Sequence, residues 1–160
     1  MKKSLFTLFA LAIVTVVALT PITKAPSEEV KLQEKIEAKQ IKLNKVVAYL
    51  QNKKSPLSSS EVSLLVEQKH GDLLIALMGI ESQFCKRQLG YNCFGVGGDS
   101  AYRHYNNFSE SIIDADALIT RWQERGRWLT VADMNGHYVQ PYNPNWERVV
   151  NKILNDIKDF

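Results

Sequence analysis

Near the middle of this chain lies the stretch Leu73-Leu-Ile-Ala-Leu-Met-Gly-Ile80, which Glu81 follows directly. Apolar residues occupy every face of a helix with this sequence, so the helix is expected in the interior of the protein. Leu74 and Met78 stand seven and three positions before Glu81 and therefore share its side of the helix. The sequence thus predicts a carboxyl group in the last turn of a buried helix.

Two effects are expected to raise the pKa of Glu81 at this position. Burial disfavours the charged carboxylate, and so does the negative C-terminal end of the helix dipole. A carboxyl group that keeps its proton near neutral pH can donate it to a leaving sugar oxygen, the step that cleavage of a glycosidic bond requires. The alternative is a glutamate that reaches water or pairs with Lys86 or Arg87.

The residues after this helix are rich in glycine, asparagine and aromatic side chains, in the segments Tyr91-Asn-Cys-Phe-Gly-Val-Gly-Gly98 and Tyr102-Arg-His-Tyr-Asn-Asn-Phe108. Aromatic rings stack on the C–H faces of sugars, and nearby amides bind sugar hydroxyls. The two segments therefore favour a carbohydrate groove near Glu81, although aromatic rings of this kind also pack in protein cores.

Four stretches, in the same order along the chain, resemble the lysozyme-like superfamily: Ala76-Leu-Met-Gly-Ile-Glu-Ser-Gln-Phe84, Asn92-Cys-Phe-Gly-Val96, Tyr102-Arg-His-Tyr105 and Phe108-Ser-Glu-Ser-Ile112. A Glu-Ser pair that closes an apolar helix is common to the lytic transglycosylases and glucosaminidases of that superfamily. The later stretches look most like the glucosaminidase-type domain of bacterial cell-wall hydrolases. The resemblance covers the chain from residue 57 to residue 157.

The resemblance implies an α+β, mainly α-helical lysozyme-like fold, peptidoglycan glycan strands as the substrate and Glu81 as the catalytic acid. It implies no cofactor. The residues that it would place along the sugar groove are Asn92, Phe94, Gly95, Tyr102, Tyr105 and Tyr138.

The sequence departs from the glucosaminidase pattern in the position of a second acidic residue. Between the Asn-x-Phe-Gly and Tyr-Arg-x-Tyr segments, the one carboxylate is Asp99, in a short glycine-rich interval. A hydrolase needs a second catalytic group at a set distance from the acid. Lytic transglycosylases instead use one Glu as acid and then as base, with the substrate's own 6-hydroxyl as nucleophile. The sequence leaves both mechanisms open, with Asp99 as the candidate second catalytic residue.

Residues 1–25 have the layout of a secretory signal. Lys2 and Lys3 precede the uncharged run Leu5–Ala18, and Thr23-Lys-Ala25 offers a small-x-small cleavage site. The sequence therefore predicts export to the periplasm or the cell exterior. An uncleaved membrane anchor is the alternative, although the run is shorter than the roughly 20 residues that span a bilayer comfortably.

Charge and ligand spacing exclude other classes of function. Without residues 1–25 the chain has 17 basic and 17 acidic side chains, so it lacks the basic surface that nucleic-acid binding requires. His70, His104 and His137 are scattered and no C-x-x-C motif occurs, so no metal site is predicted. Cys85 and Cys93 are an even pair in an exported chain, which favours a disulfide over two buried thiols.

The chain divides into a charged helical stalk over residues 26–55 and a lysozyme-like domain over residues 56–160. In the stalk, Leu32, Ile36, Leu43, Val46 and Leu50 form a narrow apolar seam. This seam is compatible with weak self-association and equally with loose packing on the domain.

Capping signals predict the remaining helices. Ser58-x-x-Glu61 opens one helix, and Asp72 opens the apolar helix, which is expected to run to about Phe84. Further helices are expected after Asn107, from Thr130 and, with Asn143-Pro144 as cap and first residue, at the end of the chain. Residues 101–105 are expected to form one arm of a small hairpin.

Two functions from different classes remain at this point. The first is an exported enzyme that cleaves the β-1,4-linked glycan strands of peptidoglycan through Glu81, as a glucosaminidase or a lytic transglycosylase. The second is a non-catalytic module of a cell-envelope assembly that keeps the fold and only binds glycan.

Overall fold

The computed structural model describes residues 27–97 and 101–160, and these residues are mainly α-helical, as the sequence predicts. The predicted leader in residues 1–25 and the candidate residue Asp99 lie outside the described residues. The helices in the described part of the chain are α1 (Glu28–Asn52), α2 (Ser59–Glu67), α3 (Gly71–Ser82), α4 (Phe108–Glu124), α5 (Val131–Met134) and α6 (Pro144–Asp159).

The predicted helix starts are confirmed wherever a capping side chain marks them. The Ser58 hydroxyl and the Glu61 carboxylate form a reciprocal capping box at α2. The side chain of Asn107 accepts a backbone N–H of α4, and that of Asn143 does the same for α6, which has Pro144 at its start. These caps satisfy backbone donors that would otherwise be unpaired in the first turn of each helix.

The two ends of α3 differ from the prediction. His70 precedes the helix without a side-chain capping bond, and Asp72 lies inside the first turn, where it pairs with Lys42 at 2.9 Å. The helix ends at Ser82 rather than near Phe84, because the backbone of Gln83 turns into the left-handed region with a φ of 53°. The chain leaves the helix immediately after Glu81 and Ser82, so it can fold back over them.

Helix α3 is the centre of the core, as its sequence predicts. The side chains from Leu74 to Met78 are fully buried, which the absence of a polar face requires. Helix α6 packs on α3 over the most extensive helix–helix contact in the described residues, and α2 and α4 cover other sides of α3. The polar end of α3, with Glu81, is thereby brought against the start of α6.

The predicted hairpin is reduced to isolated bridges in the part of the chain that the structure describes. Gly97 pairs with Tyr102 in an antiparallel bridge, and the Arg103 N–H donates to the Val96 carbonyl at 3.0 Å. Two further single bridges join Leu89 to Asn92 and Asn135 to Val139. The described residues on either side of positions 98–100 therefore pair in an antiparallel manner over a single bridge, with very little strand.

Helix α1 changes character along its length. Val46, Tyr49 and Leu50 are buried in the core, whereas Leu32 and Ile36 are exposed to solvent. The residues 26–55 that the sequence separates as a stalk therefore include turns that pack with the domain. No helix in the described ranges has the length and apolar character needed to cross a membrane.

Candidate active site

Glu81 is held by a tryptophan from the far end of the chain. The indole Nε1–H of Trp146 donates to Oε1 of Glu81 at 2.8 Å. Glu81 lies in the last turn of α3 and Trp146 in the first turn of α6, so the packing of these two helices fixes the pair. Glu81 is partly exposed, and no ion pair with Lys86 or Arg87 is observed.

The surroundings of Glu81 favour its protonated form. Burial raises the pKa of Glu81, while the hydrogen bond from Trp146 lowers it in part, and the net direction is upward. The indole N–H is a neutral donor, so it orients the carboxyl group without supplying the positive charge that would keep it ionised. The upward direction of the pKa shift and its main cause, burial, are both those expected from the sequence.

The second oxygen of Glu81 lies against a glycine. A Cβ on Gly95 would stand 2.9 Å from Oε2 of Glu81, and Gly95 has a φ of +65°, which side chains rarely adopt. Only glycine therefore lets this backbone approach the carboxyl group so closely. A cavity of about 180 Å³ opens here and is lined by Glu81, Arg87, Gln88, Leu89, Asn92, Gly95 and Tyr102.

A larger cleft of about 770 Å³ shares Gly95 and Tyr102 with this cavity. Its aromatic and amphipathic lining includes Trp122, Trp128 and Tyr138, and its remaining lining residues are Val96, Gly97, Ala101, Leu118, His137 and Gln140. Glu81 lines the smaller cavity and lies beside Gly95, one of the two residues that the cavities share.

All three tryptophans of the chain belong to one aromatic array. Ring centroids lie 5.1 Å apart for Trp122 and Trp128, 5.5 Å for Trp128 and Tyr138, and 6.0 Å for Tyr138 and Trp146. The array thus runs from the wall of the large cleft to the residue that binds Glu81. Trp128 and Trp146 are buried in the array, whereas Trp122 and Tyr138 are partly exposed and line the large cleft, where an aromatic ring can stack on a sugar.

Ser82 and the disulfide hold the loop that follows the helix. Cys85 and Cys93 are joined, with Cα atoms 4.8 Å apart, and both are buried. The Ser82 hydroxyl lies 2.7 Å from the Cys93 carbonyl and 3.0 Å from that of Met78, and it accepts the Cys85 N–H at 3.0 Å. The Glu-Ser pair therefore combines a carboxyl group that faces the cavity with a hydroxyl that anchors the loop beneath it.

Asn92 lines the small cavity, but its side chain is fully engaged within the protein. Its amide nitrogen donates to the carbonyls of Val96 (2.6 Å) and Arg103 (3.0 Å), and its oxygen accepts from the N–H groups of Phe94 and Val96. Both donors and both acceptor positions are used. Asn92 therefore lies at the cavity, as the sequence leads one to expect, but its amide organises the loop around Gly95 rather than facing a ligand.

The expectation for Phe94 also needs correction. Its side chain is 0 % exposed and belongs to the core, so the ring does not line the groove. Its carbonyl accepts the hydroxyl of Tyr138, whose ring does line the large cleft. Burial, followed by the charge of Glu81, raises the pKa of Tyr138 well above its ordinary value, so this hydroxyl remains protonated.

The other two candidate tyrosines take different positions. Tyr102 is exposed and lines both cavities, in keeping with the predicted groove. The hydroxyl of Tyr105 donates to Asp114 at 2.8 Å, and Arg103 pairs with the same carboxylate at 2.5 Å. Tyr105 and Arg103 therefore fasten the returning segment to α4, and Tyr105 is absent from the lining of either cavity.

Glu81 supplies the only carboxyl group among the described residues that line the two cavities. Asp99, the candidate second acid, falls in the gap at residues 98–100. No group of three or more His, Cys, Asp or Glu in the described ranges could hold a metal ion. The chemistry available from the described residues is therefore that of one carboxyl group beside an aromatic cleft.

No pattern in the sequence identifies Trp146, Trp122 and Trp128 as parts of the site. Trp146 follows Glu81 by 65 positions, and no local pattern connects the two residues. The sequence places Trp122 on the packed face of its helix, which it shares with Ile119. That these are the only tryptophans of the chain is the one signal that could have pointed to them.

Comparisons with known proteins identify no relative of this chain. No protein-family model matches the chain, and neither curated proteins nor solved structures give a significant match.

Proposed function

We propose that this chain is an exported enzyme that cleaves the glycan strands of peptidoglycan, with Glu81 as its general acid, on a lysozyme-like domain. The observation that carries the proposal is the position of Glu81. Its carboxyl group is partly buried, has a raised pKa and lines a small cavity that shares Gly95 and Tyr102 with a larger cleft lined by aromatic side chains. A glycosidase acid needs this combination of retained proton and adjacent sugar site.

The lining of the large cleft supports a carbohydrate substrate. Trp122, Trp128 and Tyr138 present rings to it, while His137 and Gln140 add polar groups. None of its described lining residues is a lysine or an arginine, while Arg125 and Arg127 lie over the ring of Trp122, 5.5 and 5.2 Å from its centroid. A polymer of sugar rings, with apolar faces and many hydroxyls, fits this surface.

A mechanism with one carboxyl group is favoured. Glu81 would donate its proton to the bridging oxygen as the glycosidic bond breaks, and the resulting carboxylate would then accept a proton from the attacking 6-hydroxyl of the substrate. The product would carry an anhydro sugar. The support is that the described residues lining the cavities offer no second carboxylate; a hydrolytic route would instead assign the second role to Asp99.

The test compares purified full-length protein with its Glu81→Gln variant on isolated sacculi. The glutamine side chain keeps an oxygen that can accept the Trp146 N–H, so the fold and the hydrogen bond are expected to survive. Loss of the acid should reduce fragment release by about 100-fold or more. A Glu67→Gln variant serves as the matched control, because Glu67 is exposed and pairs with Lys39 on the surface.

Mass spectrometry of the fragments distinguishes the mechanisms: anhydro ends support the single-carboxyl route, and reducing ends would require the Asp99→Asn variant next. Equal activity of wild type and Glu81→Gln would refute the role of Glu81. Binding to sacculi without fragment release by either protein would instead identify a non-catalytic module. Export is tested separately, by cell fractionation and by the N-terminal residue of the exported chain, expected to be Pro26.

A further inference from the structure

The fold constrains both the position and the orientation of the Trp146 side chain. It is 3 % exposed, in the first turn of α6, and the Asn143 side chain accepts its backbone N–H at 3.3 Å. Its ring packs against that of Tyr138, and its helix packs on α3 along the main contact of the core. Both the ring and the backbone of Trp146 are therefore fixed before any substrate arrives.

The two oxygens of Glu81 have different surroundings. Oε1 accepts the indole N–H of Trp146, whereas Oε2 points to the backbone of Gly95. Gly95 lines both cavities, and Trp146 lines neither. Oε1 therefore faces the protein, and Oε2 faces the junction that a substrate can reach.

On the basis of the proposed function, we infer that Trp146 is a positioning residue that binds Oε1 and leaves Oε2 to carry the transferred proton. In the reaction, the proton moves from Oε2 to the glycosidic oxygen while the bond from that oxygen to the anomeric carbon breaks. The leaving sugar takes the electron pair as its new hydroxyl, and Glu81 becomes a carboxylate whose charge the donor on Oε1 stabilises. The 6-hydroxyl of the substrate then bonds to the anomeric carbon and gives its proton to this carboxylate.

A neutral donor suits this role better than a cation would. A lysine or arginine at the place of Trp146 would hold Glu81 ionised and remove the proton that it must supply. The indole N–H compensates only in part for burial, so the raised pKa of Glu81 is retained. Trp146 therefore orients the carboxyl group of Glu81 and lowers its pKa by less than burial raises it.

Other ionisable groups near Glu81 are few in the described ranges. Arg87 and Tyr102 line the same cavity as Glu81, and His137 lines the large cleft. Tyr138, whose pKa is raised well above its ordinary value by burial, packs against Trp146. The carboxyl signal of Glu81 itself must therefore be followed beside the pH profile of activity.

The proposal is tested with Trp146→Phe and with a variant that carries 3-benzothienylalanine at position 146. Phenylalanine removes the N–H and part of the ring; benzothienylalanine removes only the N–H and keeps the size of the indole. The pKa of Glu81 is measured by carbon NMR of its carboxyl group, and kcat/KM on sacculi is measured across the pH range. Trp128→Phe is the control for loss of a tryptophan from the same array without loss of the bond to Glu81.

In both position-146 variants the pKa of Glu81 should rise above the wild-type value, because a donor to the charged form is lost. The limb of the pH profile that requires protonated Glu81 should move to higher pH. At the optimum, kcat should fall about 10- to 100-fold with little change in KM, because the carboxyl group is no longer held in place. Trp128→Phe should leave the pKa of Glu81 unchanged.

An unchanged pKa of Glu81 in the benzothienylalanine variant would overturn the inference, as would an unchanged kcat. The NMR measurement needs no turnover. If the wild type releases no fragments, the proposed function fails, while the bond between Trp146 and Glu81 is still tested by the pKa.

Discussion

The carboxyl group of Glu81 is partly buried against a glycine and a tryptophan. Burial raises its pKa, so its ionisation costs free energy, and no ion pair with another described residue offsets this cost. Strained or destabilised groups of this kind are characteristic of functional sites, where activity takes precedence over stability. The raised pKa of Glu81 should therefore be detectable in the pH dependence of the unfolding free energy, without an activity assay.

Glu81→Gln is expected to stabilise the protein at neutral pH. The folded-state pKa of Glu81 lies above its unfolded value, so the folded chain binds the proton more tightly and loses stability as pH rises through that interval. The glutamine side chain cannot ionise and avoids this loss. The gain in unfolding free energy should be about 0.5–2 kcal/mol at pH 7–8.

Urea denaturation at pH 4 and at pH 7.5 measures this effect. The stabilisation should shrink at pH 4, where Glu81 in both folded and unfolded chains is more protonated. An advantage of the Glu81→Gln variant that is the same at both pH values would contradict a raised pKa. Glu67→Gln, at an exposed position, should show no comparable pH-dependent gain.

At the scale of elements, the site depends on the joint between α3 and the loop of residues 83–97. Three features fix this connection: the left-handed turn after Ser82, the disulfide and the four hydrogen bonds of the Asn92 side chain. Together they place the Gly95 backbone against Glu81. The base of this loop therefore packs in the core, while its outer face lines the cavity.

Asn92→Ala is expected to lower the unfolding free energy by about 2–4 kcal/mol, because it leaves a buried carbonyl of Val96 and a partly buried carbonyl of Arg103 without partners. Asn151→Ala, an exposed asparagine in α6, should change it by less than about 0.5 kcal/mol. Urea denaturation measures both. If Asn92 were a sugar ligand instead, its alanine variant would keep its stability and show a raised KM.

The sequence predicts those elements that local patterns encode. Caps at Ser58, Asn107 and Asn143 mark three helix starts, and the apolar stretch before Glu81 marks the central helix. Contacts between distant residues leave no such pattern. The bond from Trp146 to Glu81 and the internal role of Asn92 depend on how α6 and the loop fold back on α3, which spacing along the chain does not specify.

At the scale of the whole molecule, the described residues form one core that includes the end of α1. Val46, Tyr49 and Leu50 pack in it, and α1 contacts both α2 and α6. The first turns of α1 instead carry exposed apolar side chains among many charged ones. The last turns of α1, before residue 55, therefore pack with the rest of the described residues, while residues 28–41 are exposed to solvent.

Leu50→Ala and Leu32→Ala make the same chemical change at the two ends of this helix. Leu50 is 2 % exposed and Leu32 is 60 % exposed. Leu50→Ala should cost about 2–5 kcal/mol of unfolding free energy, because it leaves a cavity in the core. Leu32→Ala should change it by less than about 0.5 kcal/mol, because the side chain is already in water.

Urea denaturation of both variants at low protein concentration measures the difference, and analytical ultracentrifugation of Leu32→Ala adds a test of the apolar seam. A wild-type protein that associates at high concentration should do so less in this variant. Equal losses of stability in the two variants would show that α1 is uniformly packed or uniformly free, and either result would contradict a helix that enters the core only in its last turns. Because α1 packs on α2 and α2 packs on α3, a large cost at Leu50 would also identify the end of α1 as support for the helix that carries Glu81.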